Sequence, residues 1–216
     1  MNSNTIDSIL ENKIIAIIRG YSANICIKIA EALYEGGIKL IEVTFNQADR
    51  ESFMDTAQAI KAINERFCGD VLAGAGTVVT LEQLRIASDA QAQYIISPNV
   101  DSEIIKKTCE LGLVSIPGAM TPTEILNAFK HGADFVKLFP VDSVDDNYIK
   151  AIRAPINHIP LIAVGGVNEL NVGHYLKLGF SGVGVGSSLT NKELILTGAF
   201  SKITELAKVY RQSLIS

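Results

Sequence analysis

Eight short apolar segments, rich in β-branched residues, recur along this chain and alternate with stretches of helical periodicity. The segments are residues 14–18, 39–43, 71–75, 94–96, 113–116, 135–138, 161–164 and 182–185, and helical stretches such as 23–35, 50–66 and 81–90 lie between them. Strands that alternate with helices pair in parallel through right-handed crossovers. Eight such units in 216 residues predict a single-domain (β/α)8 barrel, an α/β TIM barrel over residues 1–216, with a short helix before its first strand.

The alternative architecture is a doubly wound open sheet. That fold would need fewer strands and a glycine-rich phosphate loop directly after the first one. The chain has Arg19-Gly20-Tyr21 at that point. The barrel is therefore favoured, and active sites in barrels lie at the carboxyl ends of the strands.

The charge and composition of the chain argue against several classes of partner. The net charge is −4, whereas nucleic acids and anionic membranes usually select a basic face. No apolar run approaches the roughly 18 residues of a membrane span. Residues 1–5 lack the basic start and apolar core of a secretion signal. We expect a cytoplasmic protein that binds a small molecule, with no nucleic-acid or membrane partner.

The cysteines and histidines predict neither a disulfide framework nor a metal site. They are Cys26, Cys68, Cys109, His131, His158 and His174. The cysteines are odd in number and lack paired spacing, and the histidines lack the short spacings of zinc ligands. We predict that the protein needs no metal and no cofactor.

Side chains with complementary chemistry lie near the predicted carboxyl ends of the strands. Arg19 ends the first strand, Glu42 lies in the second and Lys137 lies in the sixth. Burial of a lysine lowers its pKa, so that a fraction of the neutral amine can attack a ketone. A carboxylate for proton transfer and a guanidinium for an anionic substrate complete the set. A lysine that reaches out to solvent, or a structural ion-pair cluster, remains the alternative for these residues alone.

Glycine-rich loops follow the last two predicted strands. Gly165 and Gly166 follow the seventh, and Gly186 and Ser187 follow the eighth. Barrels commonly bind phosphate in these two loops, through backbone N–H groups and a helix N-terminus. Glycines at strand ends also occur in plain tight turns, but two such loops on consecutive final strands predict a phosphate site.

Six motifs, in order along the chain, resemble the signature set of the KDPG/KHG aldolase family. They are Glu42-Val43-Thr44-Phe45, Gly74-Ala75-Gly76-Thr77-Val78, Ile96-Ser97-Pro98-Asn99, Pro117-Gly118-Ala119-Met120-Thr121-Pro122, Val136-Lys137-Leu138-Phe139-Pro140 and Gly165-Gly166-Val167. The family comprises 2-keto-3-deoxy-6-phosphogluconate and 4-hydroxy-2-oxoglutarate aldolases. The resemblance extends from about Ile14 to Leu189.

The resemblance implies a class I aldolase, usually a homotrimer, that splits a 2-keto-3-deoxy-6-phospho sugar acid into pyruvate and glyceraldehyde 3-phosphate. Lys137 matches the Schiff-base lysine of the family and Glu42 matches its general acid/base. Other matches are Thr77 and Pro98 to positions lining the pyruvate half, Phe139 to an aromatic wall beside the lysine, and Gly165, Gly166, Gly186 and Ser187 to the phosphate site.

Some positions bear on the choice of substrate. Gluconate-type members of the family often have Arg four residues after the glutamate and Thr before the Gly-Gly pair, where this chain has Asn46 and Val164. Both residues resemble the galactonate branch, as does Arg19, which would take over the carboxylate contact. Residues 142–146 add three carboxylates, which fit the solvated start of a helix.

Alternative functions remain open at the level of sequence. One is 4-hydroxy-2-oxoglutarate aldolase, which gives pyruvate and glyoxylate. Another is a phosphosugar isomerase or epimerase on the same fold, which would use a pair of carboxylates or a His–Glu pair. A third is a non-catalytic phosphometabolite sensor. Neither the isomerase nor the sensor would need Lys137.

Overall fold

A computed structural model describes residues 2–214 of the chain, in which strands and helices alternate. The strands are β1 (Ile14–Arg19), β2 (Leu40–Thr44), β3 (Leu72–Gly76), β4 (Tyr94–Ile96), β5 (Val114–Ile116), β6 (Gly118–Ala119), β7 (Val136–Leu138), β8 (Leu161–Val164) and β9 (Gly182–Val185). The helices are α1 (Asn2–Asn12), α2 (Ala23–Glu35), α3 (Phe53–Phe67), α4 (Leu81–Asp89), α5 (Ser102–Glu110), α6 (Pro122–Lys130), α7 (Asp146–Arg153), α8 (Val172–Lys177), α9 (Lys192–Leu196) and α10 (Phe200–Gln212).

All strand pairs are parallel, and the sheet order is β5-β4-β3-β2-β1-β9-β8-β7-β6. The two strands at the ends of this order are consecutive in the chain and flank Pro117. They act together as the fifth strand of a nearly closed barrel, with β5 paired to β4 and β6 paired to β7. The prediction of a (β/α)8 barrel is thus confirmed, although the predicted fifth strand is split.

Pro117 accounts for the split in the fifth strand. Proline has no N–H to donate to a sheet ladder. Its carbonyl still accepts a hydrogen bond of 2.9 Å from the N–H of Lys137. The fifth strand therefore changes partner at Pro117, and the barrel closes next to Lys137.

The strand side chains alternate between the barrel interior and the outer shell, as period-two geometry requires. Ile15, Leu40, Phe135 and Ile162 belong to an interior cluster. Their neighbours along the strands, such as Ile14, Ile41 and Val136, pack against the surrounding helices. Ile9 of α1 is fully buried in the interior cluster, so α1 covers the amino end of the barrel. The carboxyl end is left for chemistry.

Several boundaries differ by a few residues from the predicted ones. The strands β1, β2 and β3 each end one residue later than predicted, because Arg19, Thr44 and Gly76 continue the ladder between neighbours, and β2 and β3 also begin one residue later. The helix expected from residue 50 begins at Phe53. A local turn precedes it, in which the Asp49 carboxylate accepts a hydrogen bond from the Glu51 N–H at 3.1 Å. Within residues 2–214, no helix is both long and apolar enough to span a bilayer.

Candidate active site

A cavity of about 810 Å³ opens at the carboxyl ends of the strands. Its lining includes most of the residues proposed from sequence, namely Arg19, Glu42, Thr77, Pro98, Lys137, Phe139, Val164, Gly165, Gly166, Gly186 and Ser187. These residues come from β1, β2, β7, β8 and the loops after β3, β4, β7, β8 and β9. The barrel therefore gathers residues that are far apart in the chain around one cavity.

Lys137 lies in the middle of β7 on the face that points into the barrel, while Val136 and Leu138 pack outward. Its side chain is 8% exposed. Burial lowers the pKa of the Lys137 ammonium, and the charge of Arg19 lowers it further, whereas the Glu42 carboxylate acts in the opposite direction. The ammonium nitrogen lies 4.4 Å from the centroid of the Phe139 ring. The site thus holds an amine that is more readily deprotonated than an ordinary lysine.

Glu42 lies in β2 and is 3% exposed. Burial raises the pKa of its carboxyl group, and the positive charges of Lys137 and Arg19 offset part of this rise. A carboxyl group whose pKa is raised toward neutrality can both accept and return a proton. The arrangement suits a general acid/base.

Two glycines of β3 make room for the groups beside them. A Cβ atom at Gly76 would overlap the carboxyl group of Glu42, and a Cβ atom at Gly74 would overlap the ring of Tyr94. Tyr94 is fully buried, and the negative charge of Glu42 contributes to its raised pKa. These contacts were not predicted from sequence, although glycines two residues apart in a strand do indicate a close approach on one face.

Two threonines near the cavity have unusual environments. Thr77 lines the cavity with φ = 57°, in the left-handed region that a β-branched residue rarely adopts. Thr44 shares the inward face of β2 with Glu42. Its hydroxyl is buried and has no hydrogen-bond partner among the described residues. The carboxyl end of the barrel thus contains a strained backbone at Thr77 and a buried hydroxyl without a hydrogen-bond partner in the described structure at Thr44.

The loops after β8 and β9 have backbone geometry suited to an anion. Gly165 and Gly166 have φ values of 109° and 62°, and a Cβ atom at Gly166 would lie 2.6 Å from Asp142. Within the part of the chain that the structure describes, the N–H groups of Gly165, Gly166 and Ser187 donate no hydrogen bond to another residue. Such groups can bind phosphate oxygens.

The acidic segment after Pro140 does not line the cavity. Asp142 packs against Gly165 and Gly166, where it fills the space that side chains at these positions would need. The Asp145 carboxylate caps α7 by accepting a hydrogen bond from the N–H of Tyr148 at 2.9 Å. Asp146 lies 2.8 Å from the ring nitrogen Nε2 of His174. The segment therefore caps α7 and connects it to α8 through the contact between Asp146 and His174.

Some lining residues were not proposed from sequence, and one proposed residue lies elsewhere. Lys192, the first residue of α9, adds a third positive charge to the lining, and Tyr21 and Ser188 also contribute. Asn46 is exposed and does not line the cavity. Its side-chain oxygen accepts a hydrogen bond of 3.1 Å from the N–H of Ala48. A basic residue just after a phosphate loop is the one signal by which Lys192 could have been found.

The cysteines and histidines stay apart. Cys26, Cys68 and Cys109 are free thiols in the described structure. Between residues 2 and 214, no three His, Cys, Asp or Glu side chains are grouped in a way that could hold a metal ion. Lys137 and Glu42 are the buried charged side chains that the structure describes in the cavity lining, with the glycine loops beside them.

Comparison with known proteins agrees with this geometry. A family model for KDPG and KHG aldolase matches residues 6–206. The chain is 31% identical to 2-dehydro-3-deoxy-6-phosphogalactonate aldolase of Escherichia coli (strain K12), over 93% of this chain and 95% of the relative. It is 33% identical to 2-dehydro-3-deoxy-phosphogluconate aldolase of Treponema pallidum (strain Nichols), over 84% of each.

A solved structure of KDPG aldolase from Legionella pneumophila, with pyruvate captured as a covalent carbinolamine intermediate, has the same fold. Its TM-score to this structure is 0.84 at 27% identity, over 95% of this chain and 97% of that one. The match extends over nearly the whole barrel, as does the family model. The chain therefore belongs to the KDPG and KHG aldolase family.

Proposed function

We propose that the protein is a class I aldolase that cleaves a 2-keto-3-deoxy-6-phospho sugar acid into pyruvate and glyceraldehyde 3-phosphate. The observation that carries this proposal is the pair of buried groups at the cavity, an amine at Lys137 and a carboxyl at Glu42. Membership of the family supports the reaction type. The glycine loops support a phosphorylated substrate.

The reaction begins with attack of the neutral Lys137 amine on the C2 ketone of the substrate. The resulting carbinolamine loses water and becomes a protonated imine. Glu42, directly or through a water, then takes the proton of the C4 hydroxyl, and the C3–C4 bond breaks. Its electron pair moves into the imine and forms an enamine, while C4 leaves as the aldehyde. Protonation of C3 and hydrolysis of the imine release pyruvate and restore Lys137.

The remaining lining residues supply binding. Arg19 and Thr77 are suited to the carboxylate of the keto acid, and Pro98 and Phe139 to its apolar side. Gly165, Gly166, Gly186 and Ser187 are suited to the phosphate, and we add Lys192 as a further positive charge. A cation there would strengthen binding of a phosphate dianion.

We infer that the galactonate-type substrate is preferred over its C4 epimer. Val164 lines the cavity next to Gly165, and its side chain offers no hydrogen bond where gluconate-type members often have a threonine. The second candidate is 4-hydroxy-2-oxoglutarate, which has no phosphate. Lys192 in the lining, together with the glycine-loop N–H groups that donate no hydrogen bond to another residue in the described structure, favours the doubly charged terminus of a phosphorylated substrate.

Trapping of the imine is the decisive test. The protein is incubated with pyruvate, reduced with borohydride and digested for mass spectrometry. We expect a pyruvate-derived mass on the peptide that contains Lys137. Lys137→Ala should abolish the adduct, and Lys150→Ala, which removes an exposed lysine of α7, should retain it. Absence of an adduct in the wild type would instead favour the isomerase or the sensor.

We further propose that the whole chain acts as one barrel domain, forms a homotrimer and functions in the cytoplasm without a metal or cofactor. The resemblance to the family supports the trimer. Large apolar side chains at the surface, such as Leu126 and Phe129 of α6, leave area for subunit contact. Light scattering coupled to size exclusion would measure the mass. Full activity after extensive dialysis against EDTA would support the absence of a metal requirement.

A further inference from the structure

A chain of hydroxyl groups joins the two glycine loops to the last helix. The Ser188 hydroxyl, in the loop after β9, donates a hydrogen bond of 2.7 Å to the carbonyl of Val167, in the loop after β8. The Tyr210 hydroxyl, in α10, donates a hydrogen bond of 3.0 Å to the Ser188 oxygen. Tyr210 thus contacts Ser188, whose hydrogen bond to Val167 links the two loops that are suited to phosphate.

The donors in this chain determine what Ser188 can do. A serine hydroxyl has one proton to donate and can accept two further hydrogen bonds. The short contact to Val167 uses that proton, and the Tyr210 hydroxyl occupies one acceptor position. Ser188 lines the cavity but has no proton left for a phosphate oxygen. Its hydroxyl therefore connects the loops, whereas the neighbouring Ser187 hydroxyl, with no partner in the described structure, stays available.

Tyr210 is well fixed for this contact. Its side chain is fully buried, and α10 packs against α2 on the outside of the barrel. Burial raises the pKa of Tyr210 to about 12, so its hydroxyl keeps its proton at neutral pH. The Glu169 carboxylate, at 3.4 Å, is the more distant of its two acceptors. A rigid donor in a packed helix can therefore hold Ser188 in one rotamer.

We propose that Tyr210 is a positioning residue for the phosphate end of the substrate, acting through Ser188 and Val167. This inference rests on the proposed function. Without the Tyr210 hydroxyl, Ser188 is held by its hydrogen bond to Val167 alone, and the spacing of the two loops is less firmly fixed. Phosphate binding weakens as a result. The chemistry at Lys137 is unaffected, because β7 takes no part in this hydrogen-bonded chain.

The test compares Tyr210→Phe with the wild type on two substrates, the phosphorylated sugar acid and its unphosphorylated analogue. We expect KM for the phosphorylated substrate to rise about fivefold, the effect of one neutral hydrogen bond, with kcat within about twofold. The kcat/KM for the analogue should not change. Tyr175→Phe, which alters another buried tyrosine outside the cavity, should leave both substrates unaffected. An equal loss on both substrates would mean that Tyr210 only stabilises the fold, and would overturn the proposal.

A double-mutant cycle tests the route of the effect. Ser188→Ala should raise the same KM, and Tyr210→Phe combined with Ser188→Ala should be no worse than the poorer single variant. Additive losses would show that Tyr210 does not act through Ser188. A double variant whose KM lies within about twofold of the KM of the poorer single variant would support the proposal that Tyr210 acts through Ser188.

Binding of inorganic phosphate provides a readout that does not depend on the aldolase reaction. Phosphate should raise the melting temperature of the wild type, and Tyr210→Phe should need about fivefold more phosphate for the same shift. Equal phosphate dependence in the two proteins would refute the role of Tyr210. Failure of pyruvate to form an adduct in the wild type would refute only the proposed function.

Discussion

Glu42 and Lys137 reach the cavity from opposite sides of the barrel. Three strands separate β2 from β7 in either direction, when β5 and β6 count as one strand. The two groups still interact, since the charge of each shifts the pKa of the other. Burial acts against both charges. The protonation of each group is therefore set by a balance between burial, which disfavours its charge, and the opposite charge of the other group, which favours it.

This balance predicts how the pH dependence of imine formation will respond to Arg19→Met. The attacking species is the neutral amine, so the rate of adduct formation with saturating pyruvate rises as pH increases through the Lys137 pKa. The positive charge of Arg19 lowers that pKa. Its removal should raise the pKa and shift the rising limb of the profile to higher pH. Rapid trapping with cyanoborohydride at a series of pH values measures the limb.

Glu42→Gln should shift the same limb in the opposite direction. The Glu42 carboxylate favours the ammonium form of Lys137 and raises its pKa. Its loss should move the limb to lower pH, even though the later steps that we propose for Glu42 should slow down. Limbs that move together in the two variants would contradict the electrostatic account of the site.

The pair also makes a prediction about stability. Lys137→Met leaves the Glu42 carboxyl buried without its partner, which costs about 3 kcal/mol when the carboxylate is charged. The folded-state pKa of Glu42 is raised above its unfolded value, and loss of Lys137 raises it further. The variant should therefore lose stability as pH rises from the pKa of Glu42 in the unfolded state to its higher pKa in the folded variant. Urea unfolding across this range measures the slope.

Adding Glu42→Gln to Lys137→Met should restore most of the lost stability at high pH and remove the slope. The double variant buries no charge at either position. A double variant that keeps the pH dependence of Lys137→Met would show that another group is responsible.

The sequence predicted the parts of this protein that depend on local pattern. Alternating apolar segments indicated the barrel, and Lys137, Glu42 and the two glycine loops were recognisable because they lie in or just after predicted strands, near the carboxyl ends. All four features lie around the cavity. Such features follow from period and residue type, which are read directly along the chain.

The rest depends on contacts between residues that are distant along the chain. The support of Ser188 by Tyr210 and the space that Gly76 leaves for Glu42 appear only once the strands are in register. The partner change at Pro117 needs the position of both neighbouring strands. Asn46, assigned by resemblance, turns its side chain to its own loop instead. No local pattern encodes these arrangements.

Gly76→Ala tests how closely Glu42 must be placed. The added methyl group would overlap the carboxyl group and force it to move. A displacement of about 1 Å in a catalytic group costs on the order of a hundredfold in rate, so kcat for cleavage should fall by about that factor. Gly112→Ala is a control for destabilisation alone, because its φ of 71° strains an added side chain in open space outside the cavity lining, whereas Gly76 has no such backbone strain. It should lower stability by about 1 kcal/mol and leave kcat unchanged. An equal loss of kcat in both variants would point to general destabilisation.

Val164→Thr tests the basis of substrate choice. Valine and threonine have nearly the same shape, so the change adds one hydroxyl group to the cavity wall beside Gly165. A hydroxyl there can bond the C4 hydroxyl of one epimer and not the other, at about 0.5–1.5 kcal/mol. We expect the ratio of kcat/KM for the gluconate-type to the galactonate-type substrate to rise by about three- to tenfold, within the range of one such bond. Stability should fall slightly, because Val164 is buried against the interior cluster.

The ratio is obtained by coupling pyruvate release to NADH oxidation with each pure epimer. A ratio that stays constant while both values fall would show that position 164 affects packing and that C4 recognition lies elsewhere in the cavity.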